Sequence, residues 1–89
     1  MRDVTDQAAA HRAALMTALK GLSIGIQILI CGLPVHRTGQ HTWDLWAPGA
    51  CGCGAPSQRA LALDQAAAQL HAWRPETAPR LRATTEEAA

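Results

Sequence analysis

Residues 24–54 read IGIQILICGLPVHRTGQHTWDLWAPGACGCG, and the way this run divides into extended segments and turns decides the fold. At its start Ile24, Ile26, Ile28 and Ile30 alternate with Gly25, Gln27, Leu29 and Cys31, a period of two that predicts a strand with one isoleucine face. Four β-branched residues on one side also oppose a helix here. The segment Arg37-Thr38-Gly39-Gln40 then supplies a glycine for the positive φ of a tight hairpin. His41 to Trp46 alternate again, with His41, Trp43 and Leu45 on one face and Thr42, Asp44 and Trp46 on the other. Trp43 and Leu45 are therefore expected against the isoleucines. Ala47-Pro48-Gly49-Ala50 puts proline and glycine at the second and third positions of a type II turn. Cys51 to Gly54 follows as a short third strand or a loop knuckle, its glycines weakening the strand.

Outward from this run the period becomes helical. Val4, Ala8, Leu15, Leu19 and Leu22 predict a helix over residues 4–20, capped by Asp3 or Thr5 and ended by Gly21. His11 lies near its apolar stripe and reads as a partly exposed helix histidine. On the other side Pro56 and Ser57 are expected to open a second helix that runs to about Trp73 with Leu63, Ala66, Ala67, Leu70 and Trp73 as its stripe. Pro75 stops it, and His71 in its last turn suits the negative end of the helix dipole. Residues 75–89 carry two prolines and no apolar period, and are expected to be a disordered tail after a single small domain over residues 1–74. The fold class is α+β: a helix, a β-hairpin or three-strand meander, and a second helix, both helices on the isoleucine face. Ile26, Ile28, Ile30, Trp43, Leu15, Leu19, Leu63 and Leu70 are the expected core.

Composition narrows the roles open to such a chain. Of its 89 residues 48% are hydrophobic, but many are alanine, and with Phe and Tyr absent the three tryptophans carry the large aromatic area. A formal net charge of +1 supplies no field that would gather nucleic acid or an anionic membrane. The apolar run from Leu22 to Leu33 is too short to span a bilayer, and Asp3 and Asp6 break up an export signal. The expected compartment is the reducing cytoplasm.

The same central run holds all three cysteines and two of the four histidines. Cysteine thiolates and imidazoles are the usual ligands of zinc, and Cys31, Cys51 and Cys53 with His36 or His41 make a candidate metal set. In the expected register Cys31 lies opposite Trp46, and the turn at Pro48 folds Cys51 back toward it. Cys31 and His36 stand about 17 Å apart on one extended strand, so both join a single site only if the segment around Pro34 is compact. Buried inert thiols, or a disulfide or redox pair, are the other readings of these cysteines. No catalytic residue is assigned: Walker and dinucleotide fingerprints are absent, and Asp44 reads as a solvated strand residue. The sequence is read as a small intracellular binding or regulatory protein with a protein partner or second copy and a structural zinc. Its alternatives are a zinc-stabilised nucleic-acid module, with Arg37 reaching phosphate and Trp46 stacking on a base, and a thiol-redox protein.

Overall fold

A computed structural model of the chain describes residues 4–75 and 81–83. Along the chain the elements are α1 (Val4–Lys20), β1 (Gln27–Ile30), β2 (Leu33–Gly39), β3 (Thr42–Leu45), β4 (Gln58–Leu61), α2 (Leu63–Trp73) and β5 (Leu81–Ala83). The strands form one antiparallel sheet in the order β4-β3-β2-β1-β5. The fold is α+β, a helix followed by an antiparallel sheet and a second helix. The helices pack on each other and α2 also packs on β3. Leu15, Leu19, Leu22, Ile30, Leu33, Val35, Trp43, Leu45, Ala66, Ala67 and Leu70 form one buried cluster, with Ile28, Leu61, Leu63 and Trp73 packed against it.

Helix α1 ends as expected at Gly21, and every carbonyl its last turn leaves over is answered, two by Gly21 N–H and two with side chains of the sheet. Gly21 N–H donates to Thr17 O and Ala18 O, both at 3.1 Å. Leu19 O accepts from Leu22 N–H at 3.2 Å and from the Trp43 indole N–H at 3.1 Å. Lys20 O accepts from Arg37 Nη1 at 3.1 Å. Two side chains of the β2–β3 hairpin thereby fix where the helix stops against the sheet.

The first strand is shorter than its alternation predicts. Gly25 takes φ 87°, its N–H donates to Arg37 O at 2.7 Å, and Ile26 N–H turns back to Ser23 O at 3.3 Å. A left-handed glycine breaks the extended run, so Ile24 and Ile26 are 55% and 50% exposed and Ile26 leaves the expected core. From β1 the chain reverses at once through Cys31 and Gly32, at φ 55° and 78°, with Ile30 opposite Leu33. Positive φ at both central residues is the requirement of a two-residue type I′ hairpin. The expected first turn at Gly39 is thus the second. There Gly39 keeps an ordinary φ, and what requires glycine is space, since a Cβ would stand 2.8 Å from Thr42 Oγ1. His36 consequently pairs with Asp44, and Arg37 with Trp43, in place of the register that would set Cys31 opposite Trp46.

The turn over 47–50 forms as predicted, closed by Ala50 N–H to Ala47 O at 3.0 Å with Gly49 at φ 86°. The second helix starts later than expected. Residues 58–61 have helix-compatible side chains but pair with β3 instead, so tertiary pairing overrides propensity. Ser57, expected to open the helix, donates its N–H to Leu45 O and accepts Ala47 N–H on its hydroxyl. A bulge in β4 leaves Ala60 at φ 53° with its N–H on Asp44 Oδ1 at 2.8 Å, which gives Asp44 a structural partner. The N-cap of α2 is Ala62, whose N–H donates to Gln65 Oε1 at 3.0 Å. Within the segment expected to be a tail, Leu81–Ala83 pairs along β1; residues 76–80 and 84–89 lie outside the described residues.

Candidate functional site

Alternation along the strands gives the sheet a second face, opposite the helices, that carries Gln27, Leu29, Pro34, His36, Asp44 and Trp46. Trp46, expected to be available as an outward stacking surface, is only 4% exposed. The loop of residues 47–57 accounts for its indole N–H, which donates to Gly54 O at 3.0 Å. Gln27 Nε2 donates to Gly52 O at 3.0 Å. Gly52 lies so close to the sheet that a Cβ would meet Gln27 Nε2 at 2.8 Å and the Pro34 ring at 3.0 and 3.2 Å.

At the tip of this loop Cys51 and Cys53 are joined as a disulfide, and both residues are exposed. Gly54 N–H closes the turn onto Cys51 O at 3.1 Å, and Cys53 N–H points to Cys51 Sγ at 3.4 Å. A ring closed over a separation of two residues removes little chain entropy from the unfolded state, about 1.6 kcal/mol in the loop-closure model. Its value as a staple is small. Both cysteines are exposed, where an incoming thiolate can approach the pair.

The residues chosen from sequence for zinc are not brought together. Cys31, 6% exposed at the β1–β2 turn, belongs to the buried cluster under the helices, whereas Cys51 and Cys53 sit on a loop over the opposite face. His36 is half-buried between Gln27 and Asp44 in the register, and His41 is exposed in the β2–β3 turn. Among the described residues no three histidine, cysteine, aspartate or glutamate side chains gather around a common point. The difference comes from an added hairpin: the chain already reverses at Cys31-Gly32, before the turn after Gly39, and this removes Cys31 from the strand position opposite Trp46. Arg37 is equally committed elsewhere, its guanidinium donating to four backbone carbonyls and stacking on Trp43.

One polar pair was not visible in the sequence. His11 of α1 and His71 of α2 meet with Nδ1 atoms 2.7 Å apart and rings tilted at 57°. One nitrogen donates and the other accepts, so the pair is satisfied with one proton between them; two such protons would point at each other. Burial, with the nearby His11 ring and then Arg12, lowers the His71 pKa from its ordinary 6.5. The folded state therefore favours neutral His71. The stability this contributes is present above pH 6.5 and is lost as pH falls through 6.5 toward the lower folded value. Melting temperature should fall on acidification from pH 7.5 toward pH 5, about where carboxylates are still ionised. His71→Gln should flatten that slope, and an unchanged slope in the variant would remove His71 as its source.

The seat of the loop gives a second expected outcome. Gln27 can swing aside from a new Cβ at position 52, but the Pro34 ring cannot. Gly52→Ala should cost about 1–3 kcal/mol as an overpacking change and lift the loop off Trp46. The check is urea unfolding combined with Trp emission, which should shift to the red if Trp46 becomes wet.

No protein-family model, curated protein or solved structure matches the chain. Among the described residues no helix is long and apolar enough to cross a membrane.

Proposed function

We propose that this chain is a thiol-redox protein, a small regulatory module that exchanges the Cys51–Cys53 disulfide with thiols of its surroundings. The observation that carries this reading is the exposed pair itself, held on a loop whose backbone is tied to the sheet by Gln27 and Trp46. A disulfide that contributes little to folding and is open to attack is of the labile, regulatory kind.

Zinc enters this reading only for the reduced protein, where the two thiolates become ligands that must recruit further donors. The nucleic-acid reading has less support, since Arg37 and Trp46, on which it relied, are engaged within the fold. A binding role for the same module has a separate observation in its favour. Ile24 and Ile26, on either side of Gly25 in one turn, are both exposed large apolar side chains, the kind of contact a protein partner or second copy covers.

The test is a redox titration. Protein is equilibrated in glutathione buffers of graded ratio, quenched in acid, alkylated and weighed. Half-oxidation at a potential above about −300 mV supports the reading, because structural disulfides lie below that value. A pair that stays oxidised in every buffer, or stays reduced in every buffer, overturns it.

A further inference from the structure

The two sulfurs of the loop are not equivalent, and we infer that Cys51 is the attacking thiolate of the reduced protein, with Cys53 as the thiol that resolves the mixed disulfide, the substrate being the disulfide of a low-molecular-weight thiol. This rests on the redox reading above and assigns roles within it.

The asymmetry lies in the backbone. Cys53 N–H is directed at Cys51 Sγ at 3.4 Å. Among the described residues Cys53 Sγ receives no donor of its own. A hydrogen bond to the charged form of a sulfur favours that form, so negative charge is held better on Cys51 than on Cys53. Three contacts that involve no sulfur keep this arrangement when the disulfide is open: Gln27 Nε2 to Gly52 O, the Trp46 indole N–H to Gly54 O, and Gly54 N–H to Cys51 O. The stretch between Asp44 and Asp64 contains no carboxylate side chain, so no fixed negative charge along the loop opposes the thiolate.

The chemistry balances without another reactant. Cys51 thiolate attacks one sulfur of the small disulfide; the Cys51–sulfur bond forms, the S–S bond of the small molecule breaks, and its far half leaves as a thiolate that takes a proton from solvent. Cys53 then releases its proton to solvent and attacks Cys51 Sγ. The Cys51–Cys53 bond forms, and the near half leaves and is protonated in turn. The protein dithiol loses two electrons and the small disulfide gains them as two thiols.

Oxidised glutathione serves as the probe. Cys53→Ser keeps the backbone N–H that faces Cys51, while Cys51→Ser leaves Cys53 without a donor. Glutathione adducts on each variant are followed by mass spectrometry across pH 6–9, a range of about 2.5 units below to 0.5 above the reference thiol pKa. Adduct formation on Cys51 should rise at lower pH than on Cys53. At pH 7 it should be about threefold faster, the larger thiolate fraction outweighing the lower intrinsic nucleophilicity of the more acidic thiol. Reduced wild-type protein, mixed with the probe and quenched early, should carry its first glutathione on Cys51 by peptide mapping, and this holds whether or not the variants fold well. Equal rates, or the first adduct on Cys53, overturn the assignment and leave the redox reading in place. No adduct on either residue overturns both.

Discussion

Arg37→Ala is expected to lower the unfolding free energy by about 3 kcal/mol, a large share of the roughly 4–13 kcal/mol that a chain of this length commands. The side chain is a knot between three segments. Its Nε donates to Gly39 O at 3.1 Å, Nη1 to Lys20 O at 3.1 Å and Leu22 O at 2.9 Å, and Nη2 to Gln40 O at 2.7 Å. Its guanidinium carbon lies 5.0 Å from the centre of the Trp43 ring. Charge-assisted bonds are worth more than neutral ones, but several of these carbonyls are near solvent and would find water, which keeps the total well below a simple sum. Melting temperature should drop by roughly 12–24 °C, the shift that 3 kcal/mol produces in a domain of this size. Arg37→Lys should recover less than half, because an ammonium lacks the planar fork that spans a helix end and a hairpin turn. Thermal melts followed by circular dichroism give the answer, and a loss under about 1 kcal/mol would show that water replaces the arginine without consequence.

How much of this was legible in the sequence depended on whether the deciding contact was local. The stripes Leu15, Leu19, Leu22 and Ala66, Ala67, Leu70 repeat at helical spacing, and both helices follow. Trp43 and Leu45 are buried as their alternation required, and Pro48-Gly49 makes its turn. The hairpin after Gly39 was legible, but the earlier one at Cys31-Gly32 was not, because it requires Cys31 to accept a positive φ, which a non-glycine residue does at some cost. Residues 58–61 look helical on propensity and become a strand only because Trp43 and Leu45 offer them an edge. For the site, Cys51-Gly52-Cys53 announced two neighbouring sulfurs, but their seat on Gln27, Pro34 and Trp46 is built from residues 6 to 25 positions away. His11 and His71, separated by 60 residues, meet through helix packing that no local period reports.

Trp43→Ala should have the largest effect of any single change, about 4–5 kcal/mol, and should leave a substantial unfolded fraction at 37 °C. Trp43 is 1% exposed, is the largest fully buried side chain, and its indole N–H is bound to Leu19 O at 3.1 Å. Most of the loss is the cavity, because Leu19 O keeps a second donor in Leu22 N–H and is not stranded by the change. Trp43→Phe separates the two parts: it retains most of the ring volume, removes the indole donor, and should cost about 1–3 kcal/mol. The effect should also couple to Arg37, whose guanidinium loses the ring it rests on. The Arg37→Ala, Trp43→Ala double variant is expected to fall short of the sum of the singles by about 1–2 kcal/mol, as for residues in direct contact. If the double variant is too unstable to measure, the same cycle run with Trp43→Phe retains an aromatic face under Arg37 and should show a coupling near zero. A coupling as large with phenylalanine as with alanine would mean that Arg37 and Trp43 communicate through the end of α1 and not through the stacked ring.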